Sequence, residues 1–101
     1  MDHKITTSGN KTTIAMSGRL TFDDQGTFRV MLKDLAEESG AEWLLDITPL
    51  EFLDSAGLGL LLRAKAIAEK EGKSIAMKAP TSGHVADIMK ISQFHALIPF
   101  V

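Results

Sequence analysis

Cysteine is absent from this 101-residue chain, and proline occurs three times. Without cysteine there is no disulfide framework and no thiolate metal site. Three histidines remain, His3, His84 and His95, and none has the i,i+4 partner of a zinc-binding helix, so no metal or other cofactor is expected. The 11 basic residues never gather into a run and the formal net charge is −2, which argues against direct nucleic-acid binding. Long apolar runs are missing as well. The longest uncharged one, Ala56 to Leu62, falls far below the ~20 residues of a membrane span, so no membrane insertion is expected. Met1-Asp2-His3-Lys4 shows no apolar leader, and the expected location is the cytoplasm.

What is present is an ordinary globular composition. With 45% hydrophobic and 24% charged residues, the chain has enough apolar matter for one core and too little length for two. Lys4 to Thr7 and Lys11 to Ser17 are rich in β-branched residues around the turn signal Ser8-Gly9-Asn10, which reads as a hairpin. Gly18 to Phe22 reads as a connection, with Asp23 or Asp24 as the cap of a first helix. In that helix Phe28, Met31, Leu32, Leu35 and Ala36 form one apolar stripe, and Gly40 is its stop. Trp43 to Ile47 reads as a strand covered on both faces and ended by Pro49. Ala56 to Glu71 reads as a second helix closed by Gly72, and Ser74 to Met77 as a strand ended by Pro80. Thr81 or Ser82 would cap a third helix carrying Val85, Ile88 and Met89, and the apolar tail Leu97 to Phe100 packs as a short edge strand.

The predicted fold is therefore α/β, one domain over 1–101. Its small mixed sheet combines an N-terminal hairpin with a parallel, right-handed βαβ unit, and helices pack on it.

The most specific segment is Phe52-Leu53-Asp54-Ser55-Ala56-Gly57-Leu58-Gly59-Leu60, where a strand's C-terminal end meets a helix start. Open α/β sheets place their sites there. Three enzyme readings fail on spacing. Leu53 stands where a nucleophile elbow needs its first glycine. Gly57-Leu58-Gly59 runs on into leucines, so no dinucleotide fingerprint closes. Gly72-Lys73-Ser74 has Ile67 where a phosphate-binding loop needs glycine. No catalytic residue is assigned. On composition alone, Asp54 and Ser55 also fit plain helix capping.

Leu45-Asp46-Ile47-Thr48-Pro49-Leu50-Glu51-Phe52-Leu53-Asp54-Ser55-Ala56-Gly57-Leu58 closely resembles the signature of STAS domains, and within them the free-standing anti-sigma factor antagonists. The order of elements agrees over nearly the whole chain. The resemblance implies a non-enzyme, a partner-switching regulator. It would bind an anti-sigma factor with serine kinase activity, be phosphorylated by it at Ser55, and be restored by a PP2C-type phosphatase. Asp54 and Gly57 would shape the loop. Many relatives carry a second serine where Ala56 stands, and an aspartate where Thr21 stands, so a partner contact through position 21 does not carry over. Gly26, early in the first helix, is a further departure.

A partner surface is expected over Asp54, Ser55, Ala56, Gly57, Leu58 and Leu62. On a helical wheel Leu60, Leu61, Ala64, Ile67 and Ala68 form the core arc, whereas Leu58 and Leu62 align with Lys65 and Glu69. These two leucines are either partner anchors or are covered by a neighbouring loop or the tail. Asp46 reads as a hydrogen-bonded structural carboxylate, and Trp43, Phe28 and Phe94 as core. The competing reading is a STAS accessory or scaffold subunit of a membrane transporter or stressosome-like assembly, with no serine phosphorylation.

Overall fold

The computed structural model describes residues 1–38 and 40–101. Two β-branched runs give β1 (Asp2–Ser8) and β2 (Lys11–Leu20), paired antiparallel from Asp2↔Ser17 to Ser8↔Lys11 across the Gly9-Asn10 turn. Gly9 takes φ 61° there, a left-handed conformation open to glycine at little cost. A short 3₁₀ turn, Phe22–Asp24, leads into α1 (Gln25–Ala36). Then come β3 (Glu42–Asp46), β4 (Leu50–Leu53), α2 (Ser55–Lys70), β5 (Ser74–Lys78) and α3 (His84–Ile91). Among the described residues the sheet has five strands, in the order β1-β2-β3-β5 with β4 also beside β2. The β2–β3, β3–β5 and β2–β4 pairs are all parallel, so the mixed α/β sheet expected from the sequence is present.

The structure differs from the sequence reading at several joints. Gly18 to Leu20 is not connection but the end of β2. A register shift between Gly18 and Arg19, with Gly18 at φ 81°, bends the strand so that Gly18, Arg19 and Leu20 pair with β4. β4 is a strand beyond those the sequence suggests: Thr48-Pro49 reads as a terminus, but the chain only turns there and resumes as Leu50–Leu53. β3 is not covered on both faces: its burial alternates, with Trp43 and Leu45 buried and Leu44 and Asp46 half-buried. Gly40 does not end α1, which stops at Ala36. It is buried against Thr12, where a Cβ would strike that residue's side chain. α3 is capped by Gly83 at φ 93° rather than by Thr81 or Ser82.

The core is one cluster. Ile14 and Met16 of β2, Phe28, Met31, Leu32 and Leu35 of α1, Trp43 and Leu45 of β3, Leu61 and Ala64 of α2, and Val85 and Met89 of α3 are all buried together. Burying side chains of this size contributes roughly 1.5–3 kcal/mol each, before the entropy of ordering the chain is subtracted. The tail closes onto it: Ile98 is buried, and Phe100 forms a parallel bridge to Met77 beside β5. Gly72, at φ 70°, ends α2, with Lys73 N–H donating to the Ala68 carbonyl (2.8 Å) and Gly72 N–H to that of Glu69 (3.2 Å). Among the described residues no helix is long and apolar enough to cross a membrane.

Candidate functional site

Two stretches far apart in sequence meet where β4 gives way to α2. The bulge at Gly18 carries Leu20 to the sheet's end, and the Leu20 carbonyl accepts a bond from Asp54 N–H at 3.4 Å. Asp54 is the extended N-cap of α2. Its Oδ1 accepts from Gly57 N–H at 2.7 Å, satisfying a first-turn donor that the helix cannot pair internally. Its Oδ2 accepts from Phe22 N–H at 3.2 Å. One carboxylate therefore fixes the helix start and ties it to the segment that follows β2.

Gly57 is required by contact. It is buried, and an added Cβ would overlap the Leu20 carbonyl oxygen and lie 2.6 Å from Leu53 Cδ1. The backbone of α2 can approach β2 only because nothing projects at this position.

Ser55 is the first residue of α2 and is exposed. Ala56 is half-buried on the flank turned to α1, and Leu58 is half-buried against the core. Leu62 remains 36% exposed, so of the two leucines it supplies the open surface. At about 100° per residue, Ser55 and Leu62 lie within about 20° of one another on the outer face of α2.

Sequence reasoning missed several neighbours. Phe22 is 65% exposed beside the Asp54 carboxylate. His84, at the start of α3, stacks on Phe52 with ring centroids 4.9 Å apart at 6°. Its Nε2 lies 3.2 Å from the Leu53 carbonyl, a bond it donates when that nitrogen carries the proton. The Arg19 guanidinium sits 4.1 Å from the centre of the Phe52 ring. These contacts link β2, β4 and α3, and no local pattern in the sequence announces them.

A second acidic junction lies one segment upstream. Asp24 Oδ2 accepts from Thr21 N–H at 2.8 Å, and Oδ1 pairs with the Met1 amino group at 3.1 Å. Burial pushes the Asp24 carboxyl up. The Thr21 backbone bond and the bond and charge of the Met1 amino group outweigh it and hold the carboxyl below its ordinary range. Asp46 caps its own turn, Oδ1 accepting from Thr48 N–H and Thr48 Oγ1. Among the described residues no group of three or more His, Asp and Glu is placed to hold a metal ion.

The family described as "Mlab, STAS domain" matches residues 3–99. The chain belongs to the STAS domain family. An anti-sigma factor antagonist from Mycobacterium paratuberculosis superposes with a TM-score of 0.81 at 16% identity, covering 98% of this chain and 83% of that one. The anti-sigma factor antagonist SpoIIAA in its unphosphorylated form gives 0.68 at 18% identity, covering 92% and 83%. The Bacillus cell fate determinant SpoIIAA in its phosphorylated form gives 0.69 at 16% identity, covering 99% and 91%. At these identities the likeness is one of fold. No curated protein sequence matches the chain.

Proposed function

We propose that this STAS domain is an anti-sigma factor antagonist whose hold on its partner is switched at Ser55. The observation that carries the reading is an exposed hydroxyl at the first position of α2, with the capping work done by Asp54 beside it. Ser55 is thus spared from a structural role. Two similar folds are those of one antagonist with and without phosphate, which supports the same chemistry here.

In this scheme the partner is an anti-sigma factor that is also a serine kinase. It passes the γ-phosphoryl group of ATP to Ser55 Oγ; the hydroxyl proton goes to a base on the kinase and ADP leaves. A PP2C-type phosphatase reverses this with water, releasing inorganic phosphate and restoring the hydroxyl. The antagonist does no chemistry itself. Asp54, Ser55, Ala56 and Leu62 present the docking face, while Gly57 and Leu58 hold its shape from beneath.

Phosphate adds about −1.5 to −2 charges. On a wet helix start that charge is tolerated or mildly stabilising. Inside an interface it must shed water next to Asp54, and a few kcal/mol lost there weakens binding by roughly a hundredfold. The domain persists and the complex dissolves.

Labelled ATP and the anti-sigma kinases encoded beside the protein test this. Label should enter the wild type and not Ser55→Ala. Ser55→Asp should bind the kinase roughly a hundredfold more weakly with an almost unchanged Tm. Absence of transfer from every such kinase, or equal binding by both forms, overturns the reading and leaves the accessory-subunit alternative.

A further inference from the structure

Between α1 and α2, on the Ser55 side, lies an open cleft of about 250 Å³ lined by Gln25, Arg29, Ala56, Gly59, Leu60 and Arg63. Its only charged residues are the two arginines, one from each helix. Both arginines also border the adjoining cleft that Lys33, Glu37 and Glu71 line, but the salt bridges among the described residues are Met1–Asp24 and Lys65–Glu69, so no carboxylate comes within 4 Å of either guanidinium. Asp54, the carboxylate next to Ser55, turns its oxygens to Phe22 N–H and Gly57 N–H and forms an ion pair with neither arginine. Two unpaired cations on an open cleft call for an anion, and an arginine fork suits phosphate oxygens best.

The register of α2 says where the anion comes from. Ser55, Gly59 and Arg63 follow one another at i, i+4 and i+8, drifting about 40° per step, so Arg63 stands about 12 Å along the axis from Ser55. Helical side chains lean towards the N-terminus, which aims Arg63 back over Gly59 and tilts Ser55 away from it, so a phosphate on Ser55 has to turn back along the helix to meet an extended Arg63. Gly59 is exposed, and a Cβ built there meets nothing within 4 Å. Gly59 therefore puts no side chain between the serine and the arginine.

We propose that the phosphate placed on Ser55 is held by Arg63, with Arg29 assisting from α1, across the gap left by Gly59. This rests on the proposal that Ser55 is the phosphorylated residue and adds how the modified form is stored. The phosphoryl oxygens fold down along α2 instead of standing free, and a phosphatase must draw them out of the fork. Gly59 is the gap that lets this happen, a role distinct from the close approach that Gly57 serves.

The test uses full-length protein with phosphoserine installed at position 55 during translation, so it does not depend on finding the kinase. The second phosphate ionisation, near pH 6 for free phosphoserine, is followed by ³¹P NMR. In low salt Arg63→Ala should raise that pKa by roughly half a unit, and Arg29→Ala by less. Gly59→Leu, which fills the gap, should act in the same direction as Arg63→Ala. Lys90→Ala, on α3, removes equal charge elsewhere and should leave the pKa unchanged. The Arg63 effect should fade in about 1 M salt. An Arg63→Ala titration matching Lys90→Ala overturns the clamp even where a kinase labels Ser55. A clamp seen here with no kinase ever found for Ser55 would instead count against the switch.

Discussion

Gly57 and Gly59 are two residues apart on one helix and do opposite things. Gly57 faces β2, and its missing side chain lets backbone touch backbone; Gly59 faces solvent, and its missing side chain leaves room that nothing in the folded domain fills. The same letter is thus forced by packing on one side and, on the other, tolerated against helix propensity. The inner face of this turn is fixed by the fold, whereas the outer face is left to whatever meets it.

Gly57→Ala would drive a methyl into the Leu20 carbonyl and should cost about 3 kcal/mol, the upper range for overpacking; urea denaturation would show it, and an unchanged midpoint would mean the close approach is not required. Asp54→Ala removes the acceptor of both Gly57 N–H and Phe22 N–H, and should cost about 1–2 kcal/mol by the same measurement. On the outer face the sign reverses. Gly59→Ala should stabilise the domain by up to about 1 kcal/mol, seen as a raised Tm, because alanine favours the helix and meets no neighbour.

Asp24 offers the smallest and most conditional effect. Its folded carboxyl is held below the ordinary value, so its contribution is fully present above the unfolded pKa of about 3.9 and is lost as pH falls below that and through the lower folded pKa. Asp24→Asn should therefore flatten the acid limb of the stability curve below about pH 4 and lower stability modestly at neutral pH. A variant curve parallel to the wild type would show that Asp24 takes no part in acid unfolding.

Much of this was legible in the sequence because it was periodic. In the α1 stripe Phe28, Met31, Leu32 and Leu35 are buried as the spacing predicts and Ala36 is half-buried; in the α2 arc Leu60, Leu61, Ala64 and Ala68 are buried and Ile67 is half-buried. The helix start at Asp54-Ser55 was readable from short side chains meeting an apolar run. What escaped depended on pairs distant in the chain. β4 is four residues long and exists because a bulge at Gly18 turns β2 towards it. Gly40 looks like a helix stop until Thr12 is seen against it. Asp54 reads as a local cap, and its second bond, to Phe22, spans 32 residues. Arg29 and Arg63 are 34 positions apart among scattered basic residues, and only the packing of α1 on α2 puts them on one cleft.

That bond from Phe22 to Asp54 means the serine's setting is not written in its own neighbourhood. A peptide copying residues 50–62 would keep every letter of the motif, yet it would lose the amide from position 22 and the carbonyl from position 20 that pin the turn. An enzyme that recognises this shape is consequently reading finished tertiary structure, and a nascent or half-unfolded copy would offer it only a floppy string.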